Sequence, residues 1–121
     1  MDLAGEGKQR MATTDDATRI ALALPGTVQS SHFDSIDFRV RKKIFASFPK
    51  PDQMTVRLEP EHARALIETD PETYIPHAGV WGTRGRIRIV LSRITIEDLE
   101  DLVYDSWFRI APTSLQSESY D

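Results

Sequence analysis

Five residues, Arg86-Ile87-Arg88-Ile89-Val90, constrain the fold more than any others in the chain. The alternation has period two, the period of a β-strand, so Ile87 and Ile89 share one face and Arg86 and Arg88 the other. Two guanidinium groups on one face require water or an anion beside them. The strand therefore belongs to a sheet with one apolar face and one wet face, the antiparallel pattern. Just upstream runs Pro76-His77-Ala78-Gly79-Val80-Trp81-Gly82-Thr83-Arg84-Gly85. Gly82 and Gly85 mark a tight reversal, because glycine takes positive φ cheaply. Arg84 sits at its tip, and the predicted unit is a basic hairpin on an apolar base.

The rest of the chain supplies partners for that strand. Thr13 or Thr14 can cap a helix, Asp15 and Asp16 suit its first turn, and Ala17, Ile20, Ala21 and Leu24 recur at helical spacing. Pro25-Gly26 ends it. A short strand is expected around Ser30 to Asp34. Ile36, Phe38 and Val40 then alternate with Asp37, Arg39 and Arg41, and Ile44 to Phe48 resumes after a turn at Arg41-Lys42-Lys43, so 36–48 reads as a hairpin. Met54, Val56 and Leu58 define the next strand. Pro60 opens a second helix with Ala63, Leu66 and Ile67 inward, and Asp70-Pro71 stops it. Tyr74 to His77 reads as a short extended segment. Thr95 with Asp98 resembles a capping box, and Ile96, Leu99, Leu102, Val103, Ser106, Trp107 and Ile110 form the strongest amphipathic helix, closed by Pro112. The expected fold is α+β: an antiparallel sheet with helices packed on one face, in the order α-β-β-β-α-β-β-α. Residues 1–12 and 114–121 read as tails around a single domain over 13–113.

Charge matters here through its distribution. The net charge is −4. Between Arg39 and Arg93, however, eleven lysines and arginines face six acids, and residues 95–121 hold seven acids and one arginine. The sheet region is basic and the C-terminal part acidic. With no cysteine there is no thiolate site or disulfide. With no long apolar run and no signal-like start, a cytoplasmic protein without membrane contact is expected.

Five segments in order carry a family resemblance: Leu24-Pro25-Gly26 with His32-Phe33; Phe38 to Ala46; Leu58 with Pro60-Glu61; Trp81 to Arg88; and the helix from Leu99 to Pro112. Together they resemble the MmcQ/YjbR family of small bacterial proteins over residues 13–113. The resemblance implies a CyaY-like α+β fold and a double-wing mode of DNA binding, with hairpins 38–46 and 80–90 as the wings. In one respect the chain departs: many members place tryptophan directly before the last strand, where this chain has Arg86.

The candidate nucleic-acid residues are Arg39, Arg41, Lys42, Lys43, Arg84, Arg86 and Arg88, which can contact phosphates and so give sequence-independent affinity. The structural alternative is that these cations merely keep sheet edges soluble. A second reading is a protein-interaction or small-ligand domain with a cleft near Tyr74, His77 and Trp81. His32, Asp34 and Asp37 straddle a bend, so no metal site is expected. Glu97, Asp98, Glu100, Asp101 and Asp105 read as a helix-start and solvated face. Ser106 lacks a nucleophile elbow, and the glycines match no phosphate loop. The expectation is a non-enzymatic module without a cofactor, with DNA its expected partner.

Overall fold

The computed structural model describes residues 9–32, 35–77 and 84–118. Its elements are α1 (Thr14–Leu22), β1 (Thr27–His32), β2 (Ser35–Val40), β3 (Lys43–Lys50), β4 (Gln53–Arg57), α2 (Pro60–Thr69), β5 (Tyr74–Pro76), β6 (Arg86–Val90), a single 3₁₀ turn (Leu91–Arg93), α3 (Ile96–Phe108) and α4 (Thr113–Glu118). The strands form one six-stranded sheet in the order β1-β2-β3-β4-β6-β5, antiparallel throughout. The α+β class and the covered face are as expected.

The core lies between one sheet face and the helices. Phe38, Val40, Ala46, Met54, Val56, Ile87 and Ile89 meet Leu99, Leu102, Val103 and Trp107 there, all buried. Direct cross-strand partners share a face, so the register Phe38–Ala46–Val56–Ile87 carries the apolar row across four strands. Two side chains on α3 lock the helix to the sheet. The Ser106 hydroxyl donates to the Phe45 carbonyl at 2.6 Å and accepts from the Arg57 N–H at 3.0 Å. Trp107 Nε1 donates to the Pro25 carbonyl at 3.0 Å, fixing the end of α1. Thr13 is the N-cap of α1 in a full capping box with Asp16, and Thr95 caps α3 by accepting from Asp98 N–H.

The element order departs from expectation in three places. Four strands precede α2 where the expected order has three, because the short segment expected around Ser30 to Asp34 is a full strand, Thr27–His32, that pairs with β2 along its whole length. Its sequence hides it: this edge strand turns Thr27 and Gln29 toward the helix side and shows Val28, 63% exposed, on the other. The segment after Pro112 forms α4, whose Leu115 reaches the backbone at Gly26. Residues 10–12 join the fold: Ala12 N–H donates to Ile94 O at 2.8 Å and Ile96 N–H to Arg10 O at 3.1 Å. Pro49 lies inside a paired strand, but at the point where the β3–β4 register slips, which spares the ladder the bond it lacks.

Candidate nucleic-acid interface

The six strands together contain one acid, Asp37, against six basic residues, Arg39, Lys43, Lys50, Arg57, Arg86 and Arg88. Pairing arranges most of these on the sheet face turned away from the helices. One row runs Ser30–Asp37–Ser47–Thr55–Arg88–Ile75, and Arg57 stands directly opposite Arg86 in the next. Asp37 is buried and bound by Arg39 in a two-pronged ion pair, at 2.8 and 3.2 Å. That pair, mainly through its hydrogen bond, raises the Arg39 guanidinium pKa further above its ordinary value. Arg39 is thereby held at its own strand and, among the described residues, is the one candidate cation with an acid partner.

The β2–β3 hairpin turns in two residues, Arg41 and Lys42, because Val40 pairs with Lys43. Both central residues have positive φ, 52° and 72°. This is the requirement of a type I′ turn, where asparagine and glycine are the inexpensive occupants. The turn is one residue shorter than expected, and Lys43 belongs to the strand. Arg41, Lys42 and Lys43 are all exposed.

The second basic segment is anchored by Gly85. Its φ is +75°, and a Cβ there would overlap the Leu58 carbonyl, while Leu58 N–H donates to Gly85 O at 2.9 Å. This close approach sets where β6 begins and leaves Arg84 and Arg86 exposed on either side. Arg57 Nε donates to the Arg84 carbonyl at 3.2 Å, so the two segments are joined. Val80 to Thr83, the first residues of the expected 80–90 wing, lie outside the described residues, Trp81 of the second reading among them.

Tyr74 and His77 do not share a cleft. Tyr74 pairs with Ile89 on the helix side and lines a groove with His62, Leu66, Asp98 and Asp101. Burial, with Asp98 and Asp70 adding, raises its phenol above the ordinary range. His77 lines a cleft of about 250 Å³ on the opposite face, with Ser47, Thr55, Arg57 and Arg86. His77 is three positions on from Tyr74, and an odd offset along extended chain changes face. Arg57 is the cation that sequence reasoning missed. The alternation Met54, Val56, Leu58 already turned it outward; its place beside Arg86 depends on the β4–β6 pairing, across 29 residues of chain, which no local signal reports.

Elsewhere Arg10 and Arg19 pair with Asp16, Arg93 with Glu72 and Arg109 with Glu59, while Arg64 and Lys50 have no ion pair among the described residues. Among the described residues no ion pair involves Arg41, Lys42, Lys43, Arg57, Arg84, Arg86 or Arg88. No group of three or more metal-binding side chains occurs among them, and no helix is long and apolar enough to cross a membrane.

The comparisons with known proteins agree with this architecture. The family model described as YjbR matches residues 22–109. Uncharacterized proteins of Mycobacterium tuberculosis and Mycobacterium bovis are each 29% identical, over 87% of this chain and 93% of theirs. The crystal structure of Deinococcus radiodurans protein DR2400, with a DUF419 domain, superposes at a TM-score of 0.75 and 18% identity, covering 92% of this chain and 90% of that one.

Proposed function

The chain belongs to the YjbR family, and from that premise we propose that it is a non-enzymatic nucleic-acid-binding module that grips duplex phosphates through its two basic segments. The contacts come from Arg41, Lys42 and Lys43 at the β2–β3 tip, and from Arg84, Arg86 and Arg88 around the start of β6, with Arg57 between them. The observation that carries the reading is where the unpaired cations gather: acids neutralise Arg10, Arg19, Arg39, Arg93 and Arg109, and of the nine cations without an acid among the described residues all but Lys50 and Arg64 belong to these two segments and Arg57. Cations left free on one side of an otherwise acidic molecule favour a polyanion there and steer it by charge. Among the described residues no base-reading element can be named, and binding is expected to be independent of sequence.

The test is duplex binding by fluorescence anisotropy at several salt concentrations, for wild type and for Arg84→Ala/Arg88→Ala. About four to six phosphate contacts give a slope of log affinity against log salt near −4 to −5. A flat salt response, or a double variant with the wild-type slope, removes the proposal.

A further inference from the structure

We propose that the cleft over β3, β4 and β6 is a seat for a single phosphate group, distinct from the hairpin tip. Among the described residues three solvent-shielded polar atoms have no hydrogen-bond partner here: Thr55 Oγ1 and His77 Nδ1, on residues that line the cleft, and Arg88 Nε, on the cross-strand partner of Thr55. A shielded polar atom left unpaired costs about 1–3 kcal/mol, so three in one neighbourhood call for a common partner.

The register places them together. Thr55 and Arg88 are direct partners across β4 and β6, which sets their Cβ atoms about 5 Å apart. His77 N–H donates to the Arg86 carbonyl at 3.4 Å, holding the imidazole beside the same strand. Thr55 and His77 line the cleft together with Arg57 and Arg86. Thr55 itself is only 9% exposed.

The chemistry selects an anion with several oxygens. A hydroxyl and a guanidinium N–H both donate, and an imidazole donates when its proton sits on Nδ1. Arg57 and Arg86 stand opposite each other and neither has an ion pair among the described residues, and a phosphate dianion at this point offsets their repulsion. A planar carboxylate has two oxygens, too few for these donors and both arginines. The size agrees: about 250 Å³ is below the 300–1,000 Å³ of typical ligand pockets, room for a phosphate and little of what it is attached to. The group can be a terminal monoester, a backbone diester or free phosphate.

The experiment titrates the full chain with inorganic phosphate at fixed ionic strength, with chloride as the comparison, followed by calorimetry and amide chemical shifts. Saturable binding is expected, with the largest shifts at Ser47, Thr55, His77 and Arg88. Thr55→Val keeps the shape and removes the hydroxyl. It is expected to weaken phosphate about tenfold, the equivalent of one hydrogen bond to a charged group, and to raise the melting temperature without phosphate, because an unpaired shielded hydroxyl is gone. Thr55→Ser retains binding within about twofold, and Arg64→Ala, on the exposed face of α2, has no effect. A 5′-phosphorylated oligonucleotide binding tighter than its 5′-hydroxyl twin identifies a terminal monoester; equal binding identifies a diester. Phosphate behaving as chloride does, or Thr55→Val binding like wild type, overturns the seat. Because free phosphate is the probe, this outcome is independent of whether the hairpins hold a duplex.

Discussion

Arg57 and Arg86 are direct partners in the β4–β6 pairing, both exposed, on the face away from the helices. Like charges directly opposite on a sheet are destabilising by a few tenths to about 1 kcal/mol. Arg86→Thr is therefore expected to stabilise the protein by up to about 1 kcal/mol in low salt, with the gain shrinking as salt is added. Urea denaturation at two ionic strengths measures it. Equal stability of the two proteins in low salt contradicts the pairing argument.

Gly85→Ala tests the anchor of β6. The position needs positive φ, and the added methyl has nowhere to go beside the Leu58 carbonyl. A loss of about 3 kcal/mol or more is expected from the clash and the conformational strain together. Denaturant midpoints measure it, and a loss below about 1 kcal/mol shows that the approach relaxes easily.

Ser106 is a structural residue. Its hydroxyl joins β3 to β4 through the Phe45 carbonyl and the Arg57 N–H. Ser106→Ala is expected to cost about 2 kcal/mol, since it leaves buried backbone groups unpaired. Urea melts read the loss, and a neutral substitution refutes the role.

Acid should loosen the N-terminal end first. Asp16 is buried and bound by Arg10 at 2.8 Å, by the Thr13 hydroxyl and N–H, and by Arg19. Arg10 leads the causes that hold its carboxyl far below the usual range, against the opposing effect of burial. A depressed folded-state pKa gives stability that is present above the unfolded value, near 4, and is lost as pH falls below it. Stability is expected to fall steadily below about pH 4, and Asp16→Asn to flatten that fall while costing about 2 kcal/mol at pH 7. Urea melts from pH 7 to pH 2.5 provide the check.

The apolar stripes were legible because burial writes a period into sequence. Ile36-Phe38-Val40, Met54-Val56-Leu58 and Ile87-Ile89 all face the core, and Trp107 lies in it. What lacked such a period was missed or placed late, β1 being expected only from Ser30 although it begins at Thr27. β1 has no inward aliphatic run, and α4 is too short to show a stripe. The basic stretches were visible as composition, but which cations are free was not. Arg39 looks like Arg41 in sequence; only the fold shows Asp37 holding it. Tyr74 and His77 looked like one cleft and lie on opposite faces. Thr55 gave no signal, because its interest comes from Arg88, 33 positions away and one strand over.

The most direct test of the nucleic-acid proposal exploits the tip of the β2–β3 hairpin. Arg41 and Lys42 hold left-handed conformations that cost about 1 kcal/mol each without glycine. The double substitution Arg41→Asn/Lys42→Gly supplies the residues a type I′ turn prefers and removes two charges. Stability and duplex affinity are then measured on the same variant across a salt series. The prediction is a variant more stable by about 1 kcal/mol, with weaker duplex binding and a salt slope shallower by about 2. A variant that is more stable and binds duplex with the wild-type affinity and slope contradicts the proposal, and leaves the tip cations as surface charge alone.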